Sequence, residues 1–163
     1  MSNPPQPFLS FESRYLVGID ALDSQHKQMV NLLNELYGSV IAKKPRDLHL
    51  DLLTRLVNLT RTHFATEEQV LRVHSYPGYL LHKAAHEGLA RNLFEFREQI
   101  ARRKRELTIE YVDLMKLWLV EHFAEFDLGY ARFLGRENRP MEKDSNEGRG
   151  HEPTSHPGER FSV

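Results

Sequence analysis

The chain contains no cysteine, so disulfides, thiolate-held zinc and iron–sulfur clusters are excluded, and any soft-metal chemistry must draw on its nine histidines. It has no excess of positive charge: 22 Lys and Arg stand against 23 Asp and Glu, a formal net charge of −1. Nothing in that balance attracts nucleic acid or an anionic membrane. No apolar run approaches the ~18 residues that a membrane span requires. The Met-Ser-Asn-Pro-Pro start lacks the charged and apolar regions of a signal peptide. Neither a P-loop nor a Gly-x-Gly-x-x-Gly is present. These absences leave the expectation of a soluble, cytoplasmic protein, with no nucleic-acid partner and no membrane insertion.

What is present is helical periodicity. A chain of 163 residues with 40% apolar content fits one domain with a real core, and strand signals are nearly absent. Residues 1–18 read as an N-terminal arm, with three early prolines followed by Phe8, Phe11, Tyr15 and Val17, and closed by Gly18. Asp20 or Asp23 then caps a first helix that stops near Ala42, before Lys43-Lys44-Pro45. Asp47 caps a second helix running to about Ser75, ended by Pro77. A third spans Tyr79 to Arg105 and a fourth runs from Thr108 to about Leu134. From 135 to 163 the chain is polar and rich in Gly, Pro and charge, the composition of a disordered tail. Four amphipathic helices with short turns predict an all-α, up-down-up-down four-helix bundle over 19–134.

The organising stretch is Thr62 to Leu89. His63 and Glu67 are four apart on the second helix, and His82 and His86 four apart on the third. Residues at i and i+4 share a helix face, so each pair can aim two ligand atoms at one point. His26 on the first helix and His122 and Asp127 on the fourth complete an inward set of seven. A lone inward histidine is most often a hydrogen-bonded core residue. Five imidazoles and two carboxylates buried together without a partner would cost several kcal/mol of desolvation, so the set predicts metal.

Two octahedral ions offer about twelve positions. Five histidines, two bridging carboxylates and a bridging oxide or hydroxide fill all but one of them. A single vacancy suits one small molecule better than a large substrate. The chain has no Glu-x-x-His, which sets it apart from carboxylate-rich di-iron oxygenases and ferritins. His86-Glu87 is not followed by a histidine at position 90, so a zinc protease is excluded as well.

Taken in order, VGIDALDSQHK, HFATEE, HKAAH and WLVEHFAEFD resemble the hemerythrin family, and the match covers about residues 11–134. Any one of these motifs is weak alone; the ordered set of four is specific. The resemblance implies reversible dioxygen binding at a non-haem centre of two iron ions with a bridging oxo or hydroxo group. It also implies that His82, His86 and His122 hold the coordinatively full iron, His26 and His63 the open one, and that Glu67 and Asp127 bridge them. Trp118, Leu119 and Phe123 flank His122 and are candidates to wall the O2 pocket against water. Phe123 stands where the family pattern has a smaller aliphatic residue.

His122 and Asp127 are five apart, about 140° around an ideal helix. Either Asp127 reaches its bridging place across that angle, or a local π-bulge brings i and i+5 together. A carrier, store or delivery protein for oxygen, not an enzyme, is the favoured function. A di-iron oxidase, peroxidase or nitric-oxide-handling enzyme would need a polar path into the site. A sensor of oxygen, redox state or iron would need a protein partner.

Overall fold

The structure, a computed structural model, describes residues 7–137. Four long helical segments pack antiparallel: α1 (Asp20–Ile41), α2 (Arg46–Val73), α3 (Tyr79–Ala101) and a fourth made of α4 (Ile109–His122), a π turn (Phe123–Asp127) and α5 (Leu128–Glu137). The all-α bundle therefore forms as expected, and the described residues contain no strand. No described helix is long and apolar enough to cross a membrane.

Each helix buries one stripe: on α1 it is Leu22, His26, Met29, Leu33 and Leu36, spaced by three and four. Along every helix the site residues lie between two apolar clusters. The larger contains Met29, Leu33, Leu56, Leu93, Phe96 and Met115. The smaller contains Val17, Leu22, Leu71, Tyr130 and Leu134. The seven polar residues thus sit inside the core, walled above and below by hydrocarbon.

The ends of the helices differ in detail from the sequence reading. Neither Asp20 nor Asp23 caps α1, whose N-cap position is Ile19, without a side-chain cap. Asp23 has another partner. Its carboxylate instead accepts from the backbone N–H of Val17 (2.7 Å) and Gly18 (3.2 Å), with Gly18 at φ +81°, and so ties down the end of the arm. Asp47 lies in the first turn of α2, behind Pro45. Helix α3 ends at Ala101, short of Arg105, and α5 continues past Leu134 to Glu137. Most of the expected 135–163 tail, and residues 1–6 of the arm, lie outside the described residues.

The rest of the arm is docked. Phe8 stacks on Tyr37 at 4.0 Å, and Asn34 clamps the backbone of Leu9 through both its N–H (2.8 Å) and its carbonyl (2.9 Å).

Helices α1, α2 and α3 end in the same way. Lys43, Ser75 and Arg103 adopt φ of +48°, +52° and +55°. In each case the next residue's N–H returns to the carbonyl five back: Lys44 to Ser39, Tyr76 to Leu71 and Lys104 to Gln99, all 2.9 Å. This is the Schellman closure, normally given to glycine because a Cβ is strained there. Ser75→Gly is expected to stabilise the protein by about 0.5–1 kcal/mol, read as a higher urea midpoint.

Candidate metal centre

The helix spacing turns all seven side chains to one place. His26, His63, Glu67 and Asp127 form one group, and Glu67, His82, His86, His122 and Asp127 another, with ligand atoms within 4.8 Å of one another in each. Both carboxylates belong to both groups, and all seven residues are buried. Nε2 of His82 and of His86 lie 3.2 and 3.0 Å from Nε2 of His122, and Nε2 of His26 lies 3.1 Å from that of His63. Asp127 spans the groups, with Oδ1 at 3.3 and 3.2 Å from His82 and His122 and Oδ2 at 3.2 Å from His26. Glu67 presents Oε2 to His86 (2.9 Å), His82 (3.3 Å) and His63 (3.9 Å).

The π turn is what makes the Asp127 placement possible. Leu128 N–H bonds to the Phe123 carbonyl five residues back, which widens the helix by one residue and returns Asp127 to the face of His122. A π turn carrying i and i+5 is geometrically an α-helix with one residue inserted. Deleting exposed Ala124 is therefore expected to leave His122 and the aspartate four apart on one face and to preserve metal binding. Inserting an alanine there is expected to abolish it; the metal content of the two purified variants distinguishes them.

Three outer nitrogens have acceptors. Nδ1 of His26 donates to the Tyr15 carbonyl (3.0 Å), Nδ1 of His63 to Gln25 Oε1 (3.0 Å) and Nδ1 of His86 to Glu68 Oε1 (3.1 Å). A proton held on Nδ1 leaves the Nε2 lone pair facing inward, the tautomer a metal requires. These acceptors were not identified from the sequence. Tyr15 acts through its main chain, and Gln25 and Glu68 read as ordinary surface polars; their only signal is adjacency to His26 and Glu67.

Aromatic rings hold the imidazoles from the side: Phe64 stacks on His86 at 3.7 Å, Phe126 on His122 at 5.3 Å, and Phe123 lies 4.2 Å from His26. Tyr130 is fully buried with its ring 5.7 Å from His82 and its hydroxyl unpaired. Burial and the nearby Glu67 and Asp127 charges push its ionisation far up, so the phenol stays neutral.

The electrostatics are those of a site built for cations. None of the four carboxylate oxygens receives a hydrogen bond of acceptable geometry, despite imidazole nitrogens close by. Burial and Asp127 oppose ionisation of Glu67, yet contacts with His82 and His86 hold its carboxyl down at about 2. Burial likewise opposes ionisation of Asp127, but His122, His26 and His82 keep it well below the usual range. Burial lowers His63 to about 4, so this imidazole stays neutral at physiological pH. His82 is also penalised by burial, but Asp127 and Glu67 outweigh that and raise it to about 9. Convergent lone pairs, anionic oxygens without donors and complete burial fit a pair of hard-to-borderline metal ions.

Because His82 must lose its proton to bind a metal, loading is expected to release a proton near neutral pH. Apparent affinity should therefore climb with pH, by up to about tenfold per unit, and level off above about 9. Competition against a chelator at several pH values measures this slope.

The structure places Trp118, Leu119 and Phe123 beside the cluster. They line an interior cavity of about 50 Å³ that also touches His63 and His122, one histidine from each group. Besides those histidines the wall carries the Trp118 indole and the Thr60 hydroxyl, which donates to Met29 Sδ at 3.8 Å.

The chain is similar to known proteins in both sequence and fold. The family model for the hemerythrin HHE cation binding domain matches residues 17–134. The bacteriohemerythrin of Pseudomonas aeruginosa is 29% identical over 131 residues, covering 80% of this chain and 84% of its own. The myohemerythrin of Sipunculus nudus is 31% identical, covering 77% and 92%. A crystal structure of wild-type hemerythrin superposes with a TM-score of 0.72 at 21% identity, over 77% of this chain and 96% of that one. With bundle, ligand-like cluster and ordered motifs in agreement, the chain belongs to the hemerythrin family.

Proposed function

We propose that this protein binds dioxygen reversibly at a non-haem di-iron centre, as a carrier, store or delivery protein. In this reading the domain spans 19–134, His82, His86 and His122 hold one iron, His26 and His63 hold the other, and Glu67 and Asp127 serve both. When bound, the iron pair would supply two electrons to dioxygen and an open position for it, beside a bridging oxo or hydroxo group.

The observation that carries the proposal is the cavity between His63 and His122. Its volume suits a diatomic molecule, since one water needs only ~10–15 Å³, and leaves no room for a large substrate. Its walls are almost wholly apolar, and the Thr60 hydroxyl among them is spent on Met29. Phe64, Phe123 and Leu119 exclude the water and stray protons that would turn reversible binding into net oxidation. Tyr15, Gln25 and Glu68 keep three imidazoles in the binding tautomer. The residues through which this cavity nears solvent, Leu89, Trp118 and Leu119, are hydrophobic, which favours a carrier over an oxidase or peroxidase.

The test is to load the protein with iron, reduce it without air, and admit dioxygen. A visible absorption band that appears with O2 and disappears on its removal, through repeated cycles, is expected. Irreversible oxidation with no persistent oxygenated form would overturn the carrier reading in favour of an enzyme or sensor.

A further inference from the structure

We propose that the α3–α4 seam over Gly88 is the gas entry, and that Trp118 with Leu89 is its gate. The proposal rests on reading the interior cavity as the gas pocket and adds how that pocket communicates with solvent. Thirteen residues line the cavity, and ten of them are buried. Only Leu89, Trp118 and Leu119 are partly exposed. The cavity can therefore reach solvent only past these three side chains.

Two of the three also line a surface groove. Leu89, Trp118 and His122 form its floor, and Ala85, Gly88 and Phe126 are among its walls. The interior cavity and the groove are thus separated by the indole of Trp118 and the isobutyl group of Leu89. Helix α1 packs closely on α2 and α4, and α2 on α3, whereas the α3 and α4 backbones lie mostly more than 8 Å apart. The small residues Ala85 and Gly88 leave that gap unfilled, and a Cβ placed on Gly88 would meet nothing within 4 Å. Passage requires motion of two side chains and no helix displacement. Rotamer exchange of that kind is fast for partly exposed residues, so the gate can set rates without altering the bound state.

Gly88→Leu extends a side chain into the groove from outside the packed core. Oxygen association and release are expected to slow together by about tenfold, roughly 1.4 kcal/mol on each barrier, with the equilibrium affinity unchanged. Gly38→Leu, an equally open glycine on α1, is the control and should change neither rate. Trp118→Phe narrows the barrier side chain and should speed both rates.

Exchange of xenon between solvent and the protein, followed by xenon NMR, gives a readout independent of oxygen chemistry and should slow in Gly88→Leu. Unchanged oxygen rates and xenon exchange in Gly88→Leu would overturn the gate while leaving reversible binding intact. A protein that never binds oxygen reversibly, yet shows slowed xenon exchange in Gly88→Leu, would uphold the gate and overturn the carrier reading.

Discussion

Glu67→Gln is expected to lower the iron content from two ions per chain to less than one. Glu67 is fully buried and belongs to both groups of converging side chains, so in the proposed centre its charge would serve both ions. Glutamine has nearly the same volume, and the substitution leaves the packing intact while removing one of only two anionic groups at the site. The cost falls on the cations: truncating one member of a buried charged set costs about 3–5 kcal/mol because its partners lose their counter-charge.

Glu68→Gln provides the contrast one residue away. Of the seven inward residues Glu68 touches His86 at its outer nitrogen, and its other oxygen lies 3.9 Å from Lys83 Nζ; a glutamine amide oxygen can still accept the hydrogen bond from His86. Metal affinity should fall by the ~10–100-fold typical of such outer partners, and two ions should remain at saturating iron. Iron analysis and circular dichroism of the two variants, made side by side, decide the point. Two tightly held irons in Glu67→Gln would show that the carboxylate is not shared.

Removing the iron is expected to produce the largest loss of stability. In the metal-free chain five imidazoles and two carboxylates remain buried, and four carboxylate oxygens and the Nδ1 atoms of His82 and His122 lack hydrogen bonds. A ligand present at ~1,000 times its Kd stabilises by about 4 kcal/mol. At ~2–4 °C per kcal/mol for a chain of this size, chelation should lower Tm by about 10 °C or more. Calorimetry of loaded and chelated protein measures the difference, and re-addition of iron should restore it. Equal melting temperatures after verified iron removal would mean that the polar set is self-sufficient.

The metal-free protein should also carry a pH signature. His82, raised to about 9, contributes stability that is complete below its unfolded value of 6.5 and is lost as pH rises through 9. Glu67, lowered to about 2, contributes stability that persists above 4.5 and is lost as pH falls toward 2.

Much of this was legible from the sequence because burial leaves a periodic trace. Leu22, His26, Met29 and Leu33 recur at helical spacing, and a histidine on that stripe must point inward whatever its role. Pro45 and Pro77-Gly78 mark the first two turns between stripes. Seven polar residues on inward positions then identify the site before any distance is known.

The parts that were not legible are those without such a trace. The five-residue step from His122 to Asp127 is compatible with a π turn or a long reach, and only the coordinates choose between them. A main-chain acceptor such as the Tyr15 carbonyl has no residue identity to read. Asp20 or Asp23 was expected to cap α1; neither does, and Asp23 instead holds the arm that delivers that carbonyl. Left-handed closures at Lys43, Ser75 and Arg103 carry no glycine to signal them, which is why α3 ends earlier than its charge run suggests.

The most direct test of the account is anomalous diffraction at the iron edge from crystals of the iron-loaded protein. The account predicts two iron peaks within the cluster: one contacted by His82, His86 and His122, the other by His26 and His63, and both by Glu67 and Asp127. A single peak, or an Asp127 side chain turned away from both irons, would contradict it.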